Sequence, residues 1–251
     1  MLPVSSLATA VDQYFYLACS CKTNMRTGNS TPHLPEDFDV QVGKTIPYYD
    51  AIHGEAIDLV LSLRSRPTVW LDTGCGTGAM VQRALKLLPD AKFVLVDPSS
   101  AMLEQARTRF KEEPRVRILG PCRTQDLREN VDEVPDVITA VQCHHYLSRG
   151  ERATAVKVCF DLLPKGGVFI TFENIRPLTD VGTDIGKRKW GRFQAANGRT
   201  KAEVKAHLAR FDKDYFPITI EEHLDLLRRS GFEAVEVLWY SNMQAGFYCV
   251  K

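Results

Sequence analysis

Apolar positions in this chain fall into two textures, and their alternation predicts the fold. Short, almost wholly apolar runs occur at 68–71, 93–96, 116–119, 137–141 and 167–172. Between them lie stretches where apolar residues recur every three or four positions. These are 79–88, the segment from Ser99 carrying Met102, Leu103, Ala106 and Phe110, and 150–163. Unalternating apolar runs read as strands covered on both faces. Helical stretches between them make βαβ units around a mostly parallel sheet. An earlier helical pattern covers about 48–63, with Ile52, Ala56, Leu59, Val60 and Leu63 on one face. Residues 1–20 read as a short helix with Leu7, Val11, Tyr14 and Phe15 together, and 21–36 as a loop rich in turn formers. The segment 176–214 is polar and basic and breaks the rhythm; an inserted helical segment is expected there. A helix at 219–230 then leads to runs at 232–240 and 245–250, an antiparallel hairpin turning at Ser241-Asn242.

The 251 residues suit one large domain with a full core. A formal net charge of +1 offers no bulk attraction to nucleic acid or to an anionic membrane. The seven cysteines, Cys19, Cys21, Cys75, Cys122, Cys143, Cys159 and Cys249, are odd in number and scattered. That usage fits free thiols in a reducing compartment, so a cytoplasmic location is expected. Cys19-x-Cys21 has no matching second pair, so no metal site is expected. No run approaches the ~18 apolar residues of a membrane span. Leu17-Ala18-Cys19 is not read as a lipoprotein signal, because the start lacks basic residues and Asp12 and Gln13 interrupt the apolar part.

The sharpest motif is Leu71-Asp72-Thr73-Gly74-Cys75-Gly76-Thr77-Gly78, between a strand and a helix. Glycines there permit a sharp turn and let a ligand lie against the main chain. Dinucleotide-binding loops occupy the same position with G-x-G-x-x-G spacing, and they seat a pyrophosphate at the helix N-terminus. Here the spacing is G-x-G-x-G with an acid in front. A second acid, Asp97, ends the next strand 19 residues after Gly78. A carboxylate there can accept both ribose hydroxyls; the alternative is a cap for the helix that follows.

Residues 66–175 resemble the class I S-adenosylmethionine-dependent methyltransferase family. Leu162-Leu163-Pro164-Lys165-Gly166-Gly167 resembles its turn before strand five, and Ser100-Ala101-Met102-Leu103 its helix after the ribose acid. The resemblance implies a doubly wound, Rossmann-like α/β domain with a seven-stranded mixed sheet over 66–251, including a helical insert at about 176–214 before the C-terminal hairpin. An N-terminal helical lid would span 1–65. It implies S-adenosyl-L-methionine as cofactor. Asp72, Gly74, Gly76 and Gly78 would lie at its amino-acid end, Asp97 on the ribose and Met102 beside the adenine. Gln125 and Asp126 would sit at the adenine edge, and Gln142 after strand four.

Outside that core the chain resembles the narrower group that carries carboxy-S-adenosyl-L-methionine to a hydroxylated wobble uridine in tRNA. The likeness rests on Phe38-Asp39-x-x-Val42 with Ile46-Pro47-x-Tyr49, on Phe193-x-x-Ala196-Asn197-Gly198, and on the ending from Ser230-Gly231-Phe232 to Lys251. It departs at Arg199, where an aromatic is expected, and at the polar His144-His145-Tyr146. This likeness makes the carboxylated cofactor an alternative donor and tRNA a further candidate partner.

Substrate-side candidates cluster after strands four and five, whose C-terminal ends face the ligand in open α/β sheets. His144 and His145 are candidate general bases, since histidine titrates near neutrality; loop hydrogen bonding is the alternative. Tyr146 and Glu173 share that rim. Tyr48 and Tyr49 are candidates to close over the cofactor or to pack in the core. The run from Lys187 to Arg199 is a candidate for binding an anionic substrate or tRNA phosphate, though such runs are usually solvated helix faces. Trp190 is a candidate stacking platform for a planar substrate, or a packing residue of the insert. The expected activity is in-line methyl transfer to a small molecule or nucleotide. Carboxymethyl transfer to a tRNA uridine is the alternative, and a non-catalytic cofactor-binding module is the alternative of another class. A second copy of the chain is a candidate partner, and the insert is a candidate lid, dimer contact or both.

Overall fold

The computed structural model describes residues 31–129 and 131–251; the helix expected at 1–20 lies outside the described residues. Seven strands form one sheet in the order β3-β2-β1-β4-β5-β7-β6. They are β1 (Val69–Thr73), β2 (Lys92–Val96), β3 (Val116–Ile118), β4 (Val137–Val141), β5 (Val168–Asn174), β6 (Ala234–Ser241) and β7 (Gln244–Val250). β1 to β5 are mutually parallel, and β7 runs antiparallel between β5 and β6. The chain winds outward from β1 in both directions, so the gap above β1 and β4 is the topological switch point.

The period-two geometry of the strands divides the core. Trp70, Phe93, Ile170 and Phe172 point to one face, where they meet α2 (Tyr49–Leu61), α3 (Ala79–Ala84) and the Ala106 side of α4 (Ser100–Arg109). Leu71, Val94, Ile138 and Phe169 point to the other, against α5 (Arg149–Leu162) and α8 (Ile220–Arg229). Ile52, Ala56 and Val60 of α2 are completely buried, so this helix is part of the same core as β1.

Helix starts are set by local chemistry. Ser148 with Glu151, Thr200 with Glu203, and Thr219 with Glu222 form capping boxes at α5, α7 (Lys201–Leu208) and α8. The insert consists of α6 (Asp180–Ala196) and α7. α3 stops at Ala84, short of the expected 88, and the chain turns before Pro89, where a helical residue is disfavoured. Periodicity gives no hint of two elements: α1 (Phe38–Thr45) and a 3-10 turn at Thr124–Glu129. Both are too short to repeat an apolar pattern. Among the described residues no helix is long and apolar enough to cross a membrane.

Burial sets how stability depends on pH. Burial lowers the pKa of His53 and His144 to about 4, and of His207 and His223 to about 3; nearby Arg83, Arg152 and Arg199 add to it. Below pH ~6.5 the unfolded chain takes up protons that these buried rings refuse. Stability is therefore full above that pH and falls as pH drops toward 4, by ~1.4 kcal/mol per pH unit for each proton of difference. Asp72, raised to about 7 by burial, and Asp97, also raised by burial, work in the opposite direction, but the lowered histidines, joined by His33 at about 4, outnumber them. The urea midpoint should drop between pH 7 and pH 4.5; a flat or rising midpoint would contradict this assignment.

Candidate functional site

β1 delivers the chain into the glycine loop at the switch point. The Cys75 N–H donates to Val96 O at 3.0 Å, which staples the loop to β2. Asp97, almost wholly buried, accepts from Gly76 N at 2.9 Å through one oxygen and from Ser99 N at 2.8 Å through the other. Each oxygen retains a lone pair for a further donor. The side-chain cap of α4 is Ser99, whose Oγ accepts from Met102 N, so Asp97 is not needed for that role. Asp72 lies buried beneath the loop and accepts from Thr139 Oγ1 at 2.7 Å. Burial, opposed by the Thr139 bond and reinforced by the charge of Asp97, raises its pKa to about 7. Burial likewise raises the pKa of Asp97. Two buried carboxylates in each other's field favour a ligand bringing positive charge and hydroxyl donors.

The glycines divide the work. Gly78 has φ +80°, and a Cβ there would lie 2.4 Å from the Phe110 ring, so this residue serves helix–strand packing. The corresponding side of Gly74 is closed by Cys143. Gly76, with φ +55°, faces only the Phe38 ring at 3.9 Å, so this stretch of backbone is the least crowded of the loop. At the other end of the cleft Met102 is buried, and both ends of the half-buried Gln125 amide lack a protein partner. An amide offering one donor and one acceptor suits the edge of a purine. Asp126 instead is exposed and ion-paired with Arg123, so its side chain is taken up at the surface. Gln142 sits at φ +55° after β4 and also keeps a buried Oε1 without a partner.

α1 closes over this loop through residues that sequence patterning did not single out. Asp39 accepts from Thr77 Oγ1 at 2.6 Å and pairs with Arg109, which also donates to Thr77 O at 2.7 Å. Phe38 packs edge-on against Tyr49, whose hydroxyl lies in the field of Asp39 and Asp72. Tyr49 thus belongs to the amino-acid end of the cleft. Tyr48 does not: it is 61% exposed on the outer face, against Trp239.

The structure corrects several substrate-side expectations. Glu173 is fully buried, accepting from Thr171 Oγ1, His144 N, His145 N and His145 Nδ1 at 2.7–3.1 Å. Burial alone would raise its pKa, but the hydrogen bond and charge of His145 bring it down to about 2. With its oxygens saturated it cannot also reach a substrate. His145 is buried, with Nδ1 on Glu173 and Nε2 3.1 Å from Asn174 Nδ2, so both ring nitrogens are engaged. His144 is buried, reaches Thr124 Oγ1 through Nε2, and is held neutral. These two histidines hold the loop after β4 instead of serving as exposed bases. Trp190 is completely buried and donates to Thr45 O at 2.6 Å, so it ties the insert to α1 and offers no stacking face. Arg199 and Tyr146 do line open space, together with Arg210, His207, His33 and Tyr215. Those last four gave no sequence signal, because they come from separate elements joined only by the insert's fold.

A parallel sheet with one antiparallel strand beside its edge, a glycine loop after β1 and a carboxylate after β2 define a class I nucleoside-cofactor domain. Residues 71–169 match the family model described as a methyltransferase domain. Those residues thus form a methyltransferase domain, and in sequence and fold the chain is similar to S-adenosylmethionine-dependent methyltransferase enzymes. It is 24% identical over 231 residues to carboxy-S-adenosyl-L-methionine synthase 1 of Yersinia pseudotuberculosis, covering 90% of this chain and 95% of the relative. It is 27% identical over 224 residues to the synthase of Marinobacter nauticus, covering 84% and 88%. Among solved structures the N-methyltransferase NodS of Bradyrhizobium japonicum, in complex with S-adenosyl-L-homocysteine, aligns with a TM-score of 0.59 at 14% identity over 87% and 94% of the two chains. An O-methyltransferase family protein of Burkholderia thailandensis gives 0.55 at 15% identity over 80% of this chain. The chain spans only 57% of that protein's length.

Proposed function

We propose that this enzyme works in the reducing cytoplasm and transfers the methyl group of S-adenosylmethionine to a small-molecule or nucleotide acceptor by positioning, without a histidine base. The observation that carries this reading is the pair of buried carboxylates on either side of the glycine loop. Asp72 would face the positively charged amino-acid end, Asp97 the ribose, and Gln125 with Met102 the adenine. The bound cofactor supplies an electrophilic methyl carbon on a sulfonium. The chain's own share is to align the acceptor and exclude water; alignment alone can contribute ~7–11 kcal/mol. Phe38, Tyr146 and Gln142 border the space where an acceptor would lie. The two histidines after β4 act as buttresses, so the acceptor would be one that reacts without assisted proton removal or loses its proton to water. S-adenosylhomocysteine should raise the melting temperature while NAD leaves it unchanged, since only a ligand of the folded state stabilises it. Equal stabilisation by both would sink the cofactor assignment.

A second reading is supported by the reach of the likeness to the carboxy-S-adenosyl-L-methionine synthases, which extends across the insert and hairpin. In that reading the donor is converted to, or used as, its carboxylated form, and tRNA is a candidate downstream acceptor. Mass spectrometry of the nucleoside that co-purifies with the protein separates the two: a mass higher by one carboxyl group favours the second. A covering role falls to the segment before α2, since α2 shares the core with β1, and pairing of two copies remains part of the proposal.

A further inference from the structure

We infer that the acceptor carries an anionic oxygen group, a carboxylate or a phosphate, and that Arg199 holds it in a vestibule between the 31–41 segment and α7. This rests on the reading that the neighbouring cleft takes S-adenosylmethionine.

The vestibule measures about 420 Å³. His33, Leu34 and Gln41 form one wall; Arg199, His207 and Arg210 form the other. It narrows inward to a neck of about 40 Å³ that shares His33, His207 and Arg210 and reaches Gln142, Tyr146 and Tyr215. The neck therefore opens at the C-terminal edge of β4, the edge the cofactor's reactive end would face. A molecule with one end at Arg199 would place its other end there.

The charges are sorted along this path. The carboxylates Asp37 and Glu203 lie exposed at the rim, and Glu203 is occupied by the N–H and hydroxyl of Thr200. Arg210 is tied to Asp214 by a 2.8 Å bond from Nε. Arg199 differs. One Nη donates to Thr45 Oγ1, its Nε is buried without a protein partner, and among the described residues no carboxylate lies within ion-pair distance. A guanidinium presents five donors in a planar fork suited to carboxylate or phosphate. Deeper in, the Tyr215 hydroxyl is buried in the neck and has no partner. An unpaired buried donor costs ~1–3 kcal/mol, which an oxygen-rich ligand would recover. His33 and His207 both have their pKa lowered, first by burial and then by Arg199 and Arg210, so the vestibule carries a positive field.

The test uses the full chain saturated with S-adenosylhomocysteine, titrated calorimetrically with benzoate, phenyl phosphate and neutral benzamide. Benzoate or phenyl phosphate should bind and benzamide should not; the tighter of the two identifies the source of the anion. Arg199→Met should weaken the bound anion at least tenfold and Arg199→Lys less, with S-adenosylhomocysteine affinity unchanged in both as the check on folding. Tyr215→Phe removes only the hydroxyl and should weaken the same anion severalfold. Equal binding of anion and benzamide, no binding of either anion, or an unchanged affinity in Arg199→Met would overturn the inference. Failure of S-adenosylhomocysteine itself to bind would instead overturn the cofactor reading beneath it.

Discussion

Asp97→Ala should weaken S-adenosylhomocysteine binding by at least ~100-fold, read by calorimetry. In the proposed reading the carboxylate accepts two ribose hydroxyls, and hydrogen bonds to a charged group contribute ~1.5–3 kcal/mol each. The same carboxylate also holds Gly76 N and Ser99 N, so part of any loss could come from a loosened loop. A cycle separates the contributions. The 2′-deoxy analogue should bind wild type more weakly than S-adenosylhomocysteine, while Asp97→Ala should barely distinguish the two. Additive losses would mean that the hydroxyls and Asp97 do not meet, and the ribose assignment would fail.

Glu173→Ala should lower stability by roughly 3–5 kcal/mol, because several buried donors lose their acceptor at ~1–3 kcal/mol each. For a chain of this size that corresponds to a fall of about 6–20 °C in melting temperature. The loss arises because two main-chain N–H groups, one hydroxyl and the His145 ring are left without an acceptor in a water-free interior. A change under 1 kcal/mol in the chemical midpoint would show that the network is dispensable. The same substitution should also weaken cofactor binding, because the network supports the turn at Gln142, but by less than Asp97→Ala does.

The central strands β1, β2, β4 and β5 were legible from sequence because they are buried on both faces and form short unbroken apolar runs bounded by turn formers. The glycine loop and its neighbouring acid were legible as a local geometry, because left-handed backbone at Gly74, Gly76 and Gly78 constrains residue type at fixed spacing. Legibility failed where function depends on which direction a side chain takes. Glu173 and Tyr146 both follow strands at the ligand edge, yet Glu173 turns into the interior and Tyr146 lines the neck. His144 and His145 look alike as candidate bases, yet both ring nitrogens of His145 are engaged while Nδ1 of the buried His144 keeps no partner. Trp190 and Arg199 belong to one basic run, yet the first is locked under α1 and the second lines the vestibule. Asp39 and Arg109 stand 70 residues apart and meet only because α1 folds back across the loop.

That helix is moored at both ends. Asp39 near its start is moored to Thr77 and Arg109 beside the glycine loop, while Thr45 at its finish receives Trp190 and Arg199 from the insert. The two compartments therefore share one partition eight residues long. In the reading proposed above, a ligand on either side that firms up this shared partition would favour a ligand on the other by the same factor, whichever arrives first.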